Sequence, residues 1–193
     1  MKFLVILIFF VAFHCFSNVT DSLYLESINI QKTGMIILGS WSVLNLTSGA
    51  YGWSQYTGED KYFHQMNFFW NTVNLGIASF ALNDLYTKDI SLMSDSTMLQ
   101  NFFYIKKVLL INAALDLGYI GTGIYLRSRA KYSKNRSDIL NGYGSSLIIQ
   151  GSFLLIFDTV LYYVLDDIDL INSYKIKIVF DHFNSAIHFR YYL

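Results

Sequence analysis

Hydrophobic positions in this chain run in long unbroken stretches, unlike the alternation of a strand or the narrow stripe of a surface helix. Gly34 to Trp53 has no charged residue across twenty positions. Tyr62 to Asn83 has only His64 as an ionisable group, Val108 to Leu126 only Asp116, and Ile139 to Leu165 only Asp158. A helix rising 1.5 Å per residue needs about 20 apolar residues to cross a hydrocarbon core of ~30 Å. All four stretches meet that length. They predict an all-α fold, an integral membrane four-helix bundle over residues 34–169 with spans at 34–53, 62–83, 108–126 and 139–165.

Met1 to Ser17 has a different layout: Lys2, an apolar run, then small and polar residues. That is the plan of a signal peptide, either cleaved near Asn18 or kept as an anchor. His14 stands where a lipoprotein needs a small residue before Cys15, which excludes that reading. Residues 18–33 are expected to form a short polar lead-in, with Leu23, Leu25, Ile28 and Ile30 as a modest apolar pattern. Residues 170–193 are expected to form a non-membrane tail, loosely ordered or with local structure of its own. Its SYKIKIVF alternates like a strand or hairpin, and its HFRYYL ending suits lipid headgroups.

Charge sets the orientation. Arg127, Arg129, Lys131, Lys134 and Arg136 crowd between spans three and four, opposed only by Asp138. Short cytoplasmic loops carry such an excess, so this loop is expected inside and both termini outside, across a bacterial inner membrane. Lys106 and Lys107 argue weakly against that orientation, whereas Asp166, Asp167 and Asp169 close span four on the outer side. Only 15% of residues are charged against roughly 25% in soluble domains, and basic and acidic residues balance at 14 each, which excludes a globally basic nucleic-acid binder. The single cysteine excludes a disulfide framework, and the absence of proline excludes a proline-kinked gate.

The polar residues inside the spans are patterned. His64, Asn67, Asn71 and Asn74 follow at spacings of three, four and three, which keeps them on one helix face. Asn112 and Asp116 share a face of span three, and Trp41, Asn45 and Ser48 share one of span one. Span four offers Ser146 and Gln150, with Asp158 two turns further on. Asn45, Asn71, Asn74, Asn112, Asp116 and Gln150 lie within about three residues of their span midpoints, about 5 Å at the helical rise. Asp158 is expected about 9 Å further toward the outer face, where it would reach water. A mid-membrane aspartate costs about 2.5–3.5 kcal/mol on insertion scales, so these groups must face each other. The pattern predicts a central polar layer. Asp116 there is either neutral, donating to Asn71 or Asn74, or ionised and holding a cation or a ligand's positive group.

Other chemistry is set aside. Glu59 and His64 do not have the Glu-x-x-His spacing of di-iron bundles, and His182 and His188 lack metal-ligand spacing. His64 reads as an inner-leaflet hydrogen-bonding residue. The glycines of GYIGTG lie in an apolar span and form no phosphate loop; there Ala114, Gly118 and Gly121 suit close helix packing. MIILGSW and LIIQGSF match, but their order fits no duplicated halves. No catalytic constellation, metal site or cofactor is expected.

The runs GEDKYFHQMNFFWNTVNLGIA (58–78), NAALDLGYIGTG (112–123) and SLIIQGSFLLIFD (146–158) resemble an uncharacterised bacterial family of small four-span membrane proteins, over about Gly34 to Tyr163. That resemblance implies an inner-membrane bundle and brings no activity. Two readings of the polar layer follow. In one, Asn45, Asn67, Asn71, Asn74, Asn112, Asp116, Gln150 and Asp158 bind a small polar ligand or ion. In the other, the layer only locks the helices of an accessory subunit. A membrane enzyme is the weakest reading. The lipid bilayer is the expected partner and nucleic acid is not; a partner protein or homo-oligomer is left open.

Overall fold

A computed structural model describes the backbone of residues 2–191 and the side chains of residues 21–169. Four helices carry the chain: α1 (Lys2–Gln55), α2 (Gly58–Thr87), α3 (Asp95–Ala130) and α4 (Ser137–Tyr191), with one 3-10 turn at Ile90–Leu92. There is no strand among the described residues. The all-α expectation stands, and each of the four apolar stretches lies within one helix. Two helical stretches, Asp95–Ala130 and Ser137–Asp169, are long and apolar enough to cross a membrane by length and composition. Neither α1 nor α2 reaches that mark among the described residues. Asn67, Asn71, Asn74 and His64 dilute the apolar content of α2, and small and hydroxylated residues dilute α1.

Three local expectations are corrected. The tail forms no strand or hairpin: helix α4 continues through it, because no glycine or proline follows Gly151 to break the backbone ladder. Where HFRYYL and the 1–17 segment place their side chains lies outside the described residues. Residues 18–33 belong to α1, and burial there falls on Leu23, Tyr24, Ser27, Ile28 and Gln31 while Leu25 is exposed. That is helical periodicity. The loop expected at 54–61 shrinks to Tyr56 and Thr57, since Gly58 takes φ +58°, a left-handed conformation that glycine adopts without steric cost. Glu59 and Asp60 then sit in the first turn of α2, where the helix dipole favours negative charge.

The chain divides into two compact units: Met1–Ile30, Asp89–Lys106 and Tyr163–Leu193 form one, and Gln31–Lys88 and Lys107–Tyr162 the other. In the second unit the segments of all four helices pack together. Trp41 of α1 stacks on Phe153 of α4 at 3.9 Å, Trp53 packs against Phe68 and Phe69 of α2 at 5.9 and 5.4 Å, and Trp70 of α2 meets the ring of Tyr119 of α3 edge-on at 4.7 Å.

Helices α3 and α4 approach closely along a glycine seam. A Cβ on Gly123 would stand 2.6 Å from the Gly144 carbonyl oxygen, and one on Gly151 3.1 Å from the Asp116 carbonyl oxygen. The small residues singled out from the sequence are elsewhere. Nothing lies within 4 Å of a Cβ on Gly118 or Gly121. Asp116 selects the inner face of α3, and Ile120, Gly123 and Arg127 follow it at helical spacing while Gly118 points away. Large apolar side chains cover the outside of all four helices in this unit, among them Ile37, Leu44, Val73, Phe80, Leu115, Ile124, Ile156 and Val160.

Candidate functional site: a polar layer in two states

Three helices meet in an amide knot. Gln150 of α4 is fully buried; its Nε2 donates to Asn67 Oδ1 at 3.0 Å and to Asn45 Oδ1 at 3.3 Å, and its Oε1 accepts from Trp41 Nε1 at 3.0 Å. Ser146 Oγ donates to the same Asn67 oxygen at 2.6 Å. Asn45 Nδ2 is used within its own helix, donating to the Trp41 carbonyl at 2.9 Å. Every polar atom of the Gln150 amide therefore has a partner, and α1, α2 and α4 are tied through it. Trp41 and Ser146 were visible as members of the polar faces but were not assigned to the site. Their signal was spacing: Trp41 lies four residues before Asn45, and Ser146 four before Gln150.

The second cluster is left incomplete. Asn71 Nδ2 donates to the Asn67 carbonyl at 2.9 Å, but its Oδ1 has no donor. Asn74 Nδ2 has no acceptor and Asp116 Oδ2 has no donor. All three residues are buried, at 0, 5 and 3% exposure, so bulk water does not reach them. A buried unmet polar atom costs roughly 1–3 kcal/mol, so these three, with Trp70 Nε1 of α2 unpartnered as well, call for an explanation.

Asp158 is buried too, and its carboxyl lies close enough to that of Asp116 for the two to interact electrostatically. This overturns the expectation that Asp158 lies nearer water, which rested on the rise between backbone positions. The two helices run antiparallel, and side chains tilt toward the N-terminus of their own helix. Asp116 and Asp158 therefore lean toward each other and close the gap.

The remaining positions separate. Asn112 is half-buried, and Ser48 is exposed, donating to the Asn45 carbonyl at 3.3 Å. His64 lies away from the layer in a slot of its own. Its ring stacks on Tyr56 at 5.3 Å and fills the space that a Cβ on Gly52 would occupy, and its Nδ1 has no partner. Among the described residues, no three His, Cys, Asp or Glu side chains gather to hold a metal ion.

These elements fall within residues 37–159, the region that matches a family of unknown function, DUF6992. The chain belongs to the DUF6992 family. The match takes in both polar clusters, the glycine seam and the basic loop, and agrees with the extent of the resemblance seen in the sequence. No curated protein and no solved structure matches the chain significantly. Membership in DUF6992 thus brings no activity with it.

A further cluster lies in the other unit. Lys106 Nζ donates to Asp166 Oδ1 at 2.6 Å and to Asp169 Oδ2 at 3.0 Å, and stands over the Phe102 ring at 5.4 Å. Burial alone would lower its ammonium pKa, but the two carboxylates outweigh that and hold it above the ordinary lysine value. Neighbouring Asn101 Nδ2 donates to Tyr24 OH at 3.3 Å. These contacts join helical segments and are read as structural.

Proposed function

We propose that this DUF6992 protein is a four-span bacterial inner-membrane protein, with a signal peptide at 1–17 and both termini on the outer side. Its bundle over 34–169 uses the unpartnered part of the polar layer to bind a small polar ligand or ion, as a component of transport. The membrane part is supported by the distribution of side chains in the second unit: amides and carboxyls inside, large apolar groups outside on all four helices. An apolar exterior of that extent is suited to lipid rather than water. The basic residues from Arg127 to Arg136 cap the α3–α4 connection, which supports a cytoplasmic position for it.

The binding part is carried by one observation. Asn71 Oδ1, Asn74 Nδ2 and Asp116 Oδ2 are buried without partners, while the knot beside them is satisfied. A layer serving only adhesion gains nothing from leaving them unmet. The knot favours a second reading, an accessory subunit whose amides lock the helices, because interhelical hydrogen bonds of its kind hold membrane bundles together.

Native mass spectrometry of the gently extracted protein, with elemental analysis of the same sample, separates the two. A stoichiometric small molecule or ion that departs in Asp116→Asn supports the binding reading. A clean apo mass with a co-purifying protein supports the accessory subunit. Orientation is tested by Ser133→Cys, which must resist impermeant thiol reagents in intact cells; labelling there would reverse the topology.

A further inference from the structure

The end of the second unit that holds the α3–α4 connection carries a charge that the fold does not use. Arg127 and Arg129 lie in the last turn of α3, where the helix dipole favours cations. That accounts for two of the five basic residues; Lys131, Lys134 and Arg136 stand beyond the helix. All five are exposed, and among the described residues none of them forms an ion pair. The cations that do pair are Lys88, with Asp84, and Lys106, with Asp166 and Asp169. Carboxylates share this end without meeting the five: Asp138 of α4 lies against Gly58, and Glu59 and Asp60 open α2, whose first turn packs on Gly142.

The connection is short and held by its own backbone. Tyr132 N donates to the Arg129 carbonyl at 3.1 Å and Ser133 N to that of Ala130 at 3.1 Å, so α3 winds on into the turn. Leu140 N donates to the Arg136 carbonyl at 3.0 Å, which opens α4. The close approach at Gly144 places Arg127: a Cβ there would stand 2.7 Å from Arg127 Cγ, so the side-chain stem lies along the first turns of α4. A charged surface held in this way loses little freedom on binding.

Beneath the cations the surface turns apolar. Tyr125 lies one turn before Arg129 on the same face of α3, and Leu117 and Ile124, two turns apart, continue the exposed apolar surface. Tyr132 is 82% exposed in the connection itself. An acidic protein segment or free phosphate would use the cations and leave that apolar strip untouched. A phospholipid with an anionic headgroup matches both parts, and Lys and Arg clusters beside a spanning helix attract such headgroups. Tyrosine suits the boundary because one end of its side chain is apolar and the other polar.

We propose that the α3–α4 connection is a docking surface for anionic phospholipids. The basic residues of 127–136 hold their headgroups, and the exposed face of α3 takes their acyl chains. The inference rests on the membrane placement proposed above and adds a partner to it, without involving the polar layer.

The test is native mass spectrometry of the full-length protein in detergent, titrated with dioleoyl phosphatidylglycerol or with dioleoyl phosphatidylcholine, which has the same chains and no net charge. Wild type is expected to retain the anionic lipid at concentrations where the zwitterionic one is lost, a preference that falls as ammonium acetate is raised. In Lys131→Gln/Lys134→Gln the preference should fall roughly 25-fold, from about fivefold for each cation near a membrane surface. In Lys32→Gln/Lys107→Gln, which removes the same charge elsewhere, it should stay. Equal retention of the two lipids by wild type overturns the inference, and so does an equal fall in both double variants. Displacement of the bound lipid by glycerol phosphate at the same concentration also overturns it, because the surface would then read phosphate alone. Carbonate washing of membranes reads the placement independently. Protein that stays in the pellet but shows no lipid preference overturns this inference alone. Protein released to the supernatant overturns the membrane placement and the lipid surface together.

Discussion

The amide knot and the carboxyl pair are made of similar residues in one four-helix unit, yet one is closed and the other open. In the knot, Gln150 meets Trp41, Asn45 and Asn67 and leaves nothing over. Asn71, Asn74 and Asp116 each keep one buried atom without a partner, as does Trp70 beside them on α2. What separates them is the complementarity of the groups. The knot alternates donors and acceptors, so protein alone completes it. On the facing stretches of α2 and α3 the protein leaves atoms of Asn71, Asn74 and Asp116 uncompleted. A polar group inside a membrane bundle is therefore evidence of binding only after its hydrogen bonds have been counted.

The largest effect that would test this contrast is expected from Gly123→Val. Its side chain would drive into the Gly144 carbonyl and part α3 from α4, an overpacking cost of about 3 kcal/mol. The knot does not include α3, so the variant should lose the carboxyl pair while α1, α2 and α4 stay tied. Unfolding by denaturant in detergent, with native mass spectrometry of the folded fraction, reads both effects. Gln150→Leu comes next. It removes three interhelical hydrogen bonds at about 0.6 kcal/mol each, roughly 2 kcal/mol in all, and should leave any co-purifying ligand in place in whatever fraction remains folded. If the ligand is lost from the folded fraction, the two clusters are one site.

Lys106→Met gives a reference for charge used as structural glue. Losing a partly exposed ion pair costs about 1 kcal/mol. Because the folded ammonium pKa lies above its unfolded value, that stability is present in full below the unfolded pKa and is lost as pH rises through the folded one. Melting curves of wild type and variant should differ at neutral pH and converge in strong alkali. The smallest stability change is expected from Asp116→Asn, about the 0.6 kcal/mol of one interhelical hydrogen bond, because an amide can donate to Asp158. A loss as large as that of Gln150→Leu would place Asp116 with the structural contacts.

Much of this was readable from the sequence. Four charge-poor stretches gave the helices, and the spacing of Asn67, Asn71 and Asn74 gave the buried face of α2. The division of that face was not, because which amide finds a partner depends on the register between helices far apart in the chain. Asp158 was misplaced for a related reason: counting residues locates a Cα, while opposite side-chain tilts bring two carboxyls together. The tail was read as a strand from local alternation, and the uninterrupted ladder of α4 prevailed. Gly118 and Gly121 looked like packing residues because they are small. The inner face of α3 is set instead by Asp116, with Gly123 falling on it.

The knot also bears on how such a chain is made. Its acceptors on α1 and α2 leave the ribosome well before Ser146 and Gln150, the donors that complete them. Throughout synthesis of α3, Asn45 and Asn67 carry oxygens that only the last helix can satisfy. A nascent chain halted before α4 would present those amides unpaired, and arrival of α4 would withdraw them. The same contacts that hold the finished bundle would then distinguish it from an unfinished one.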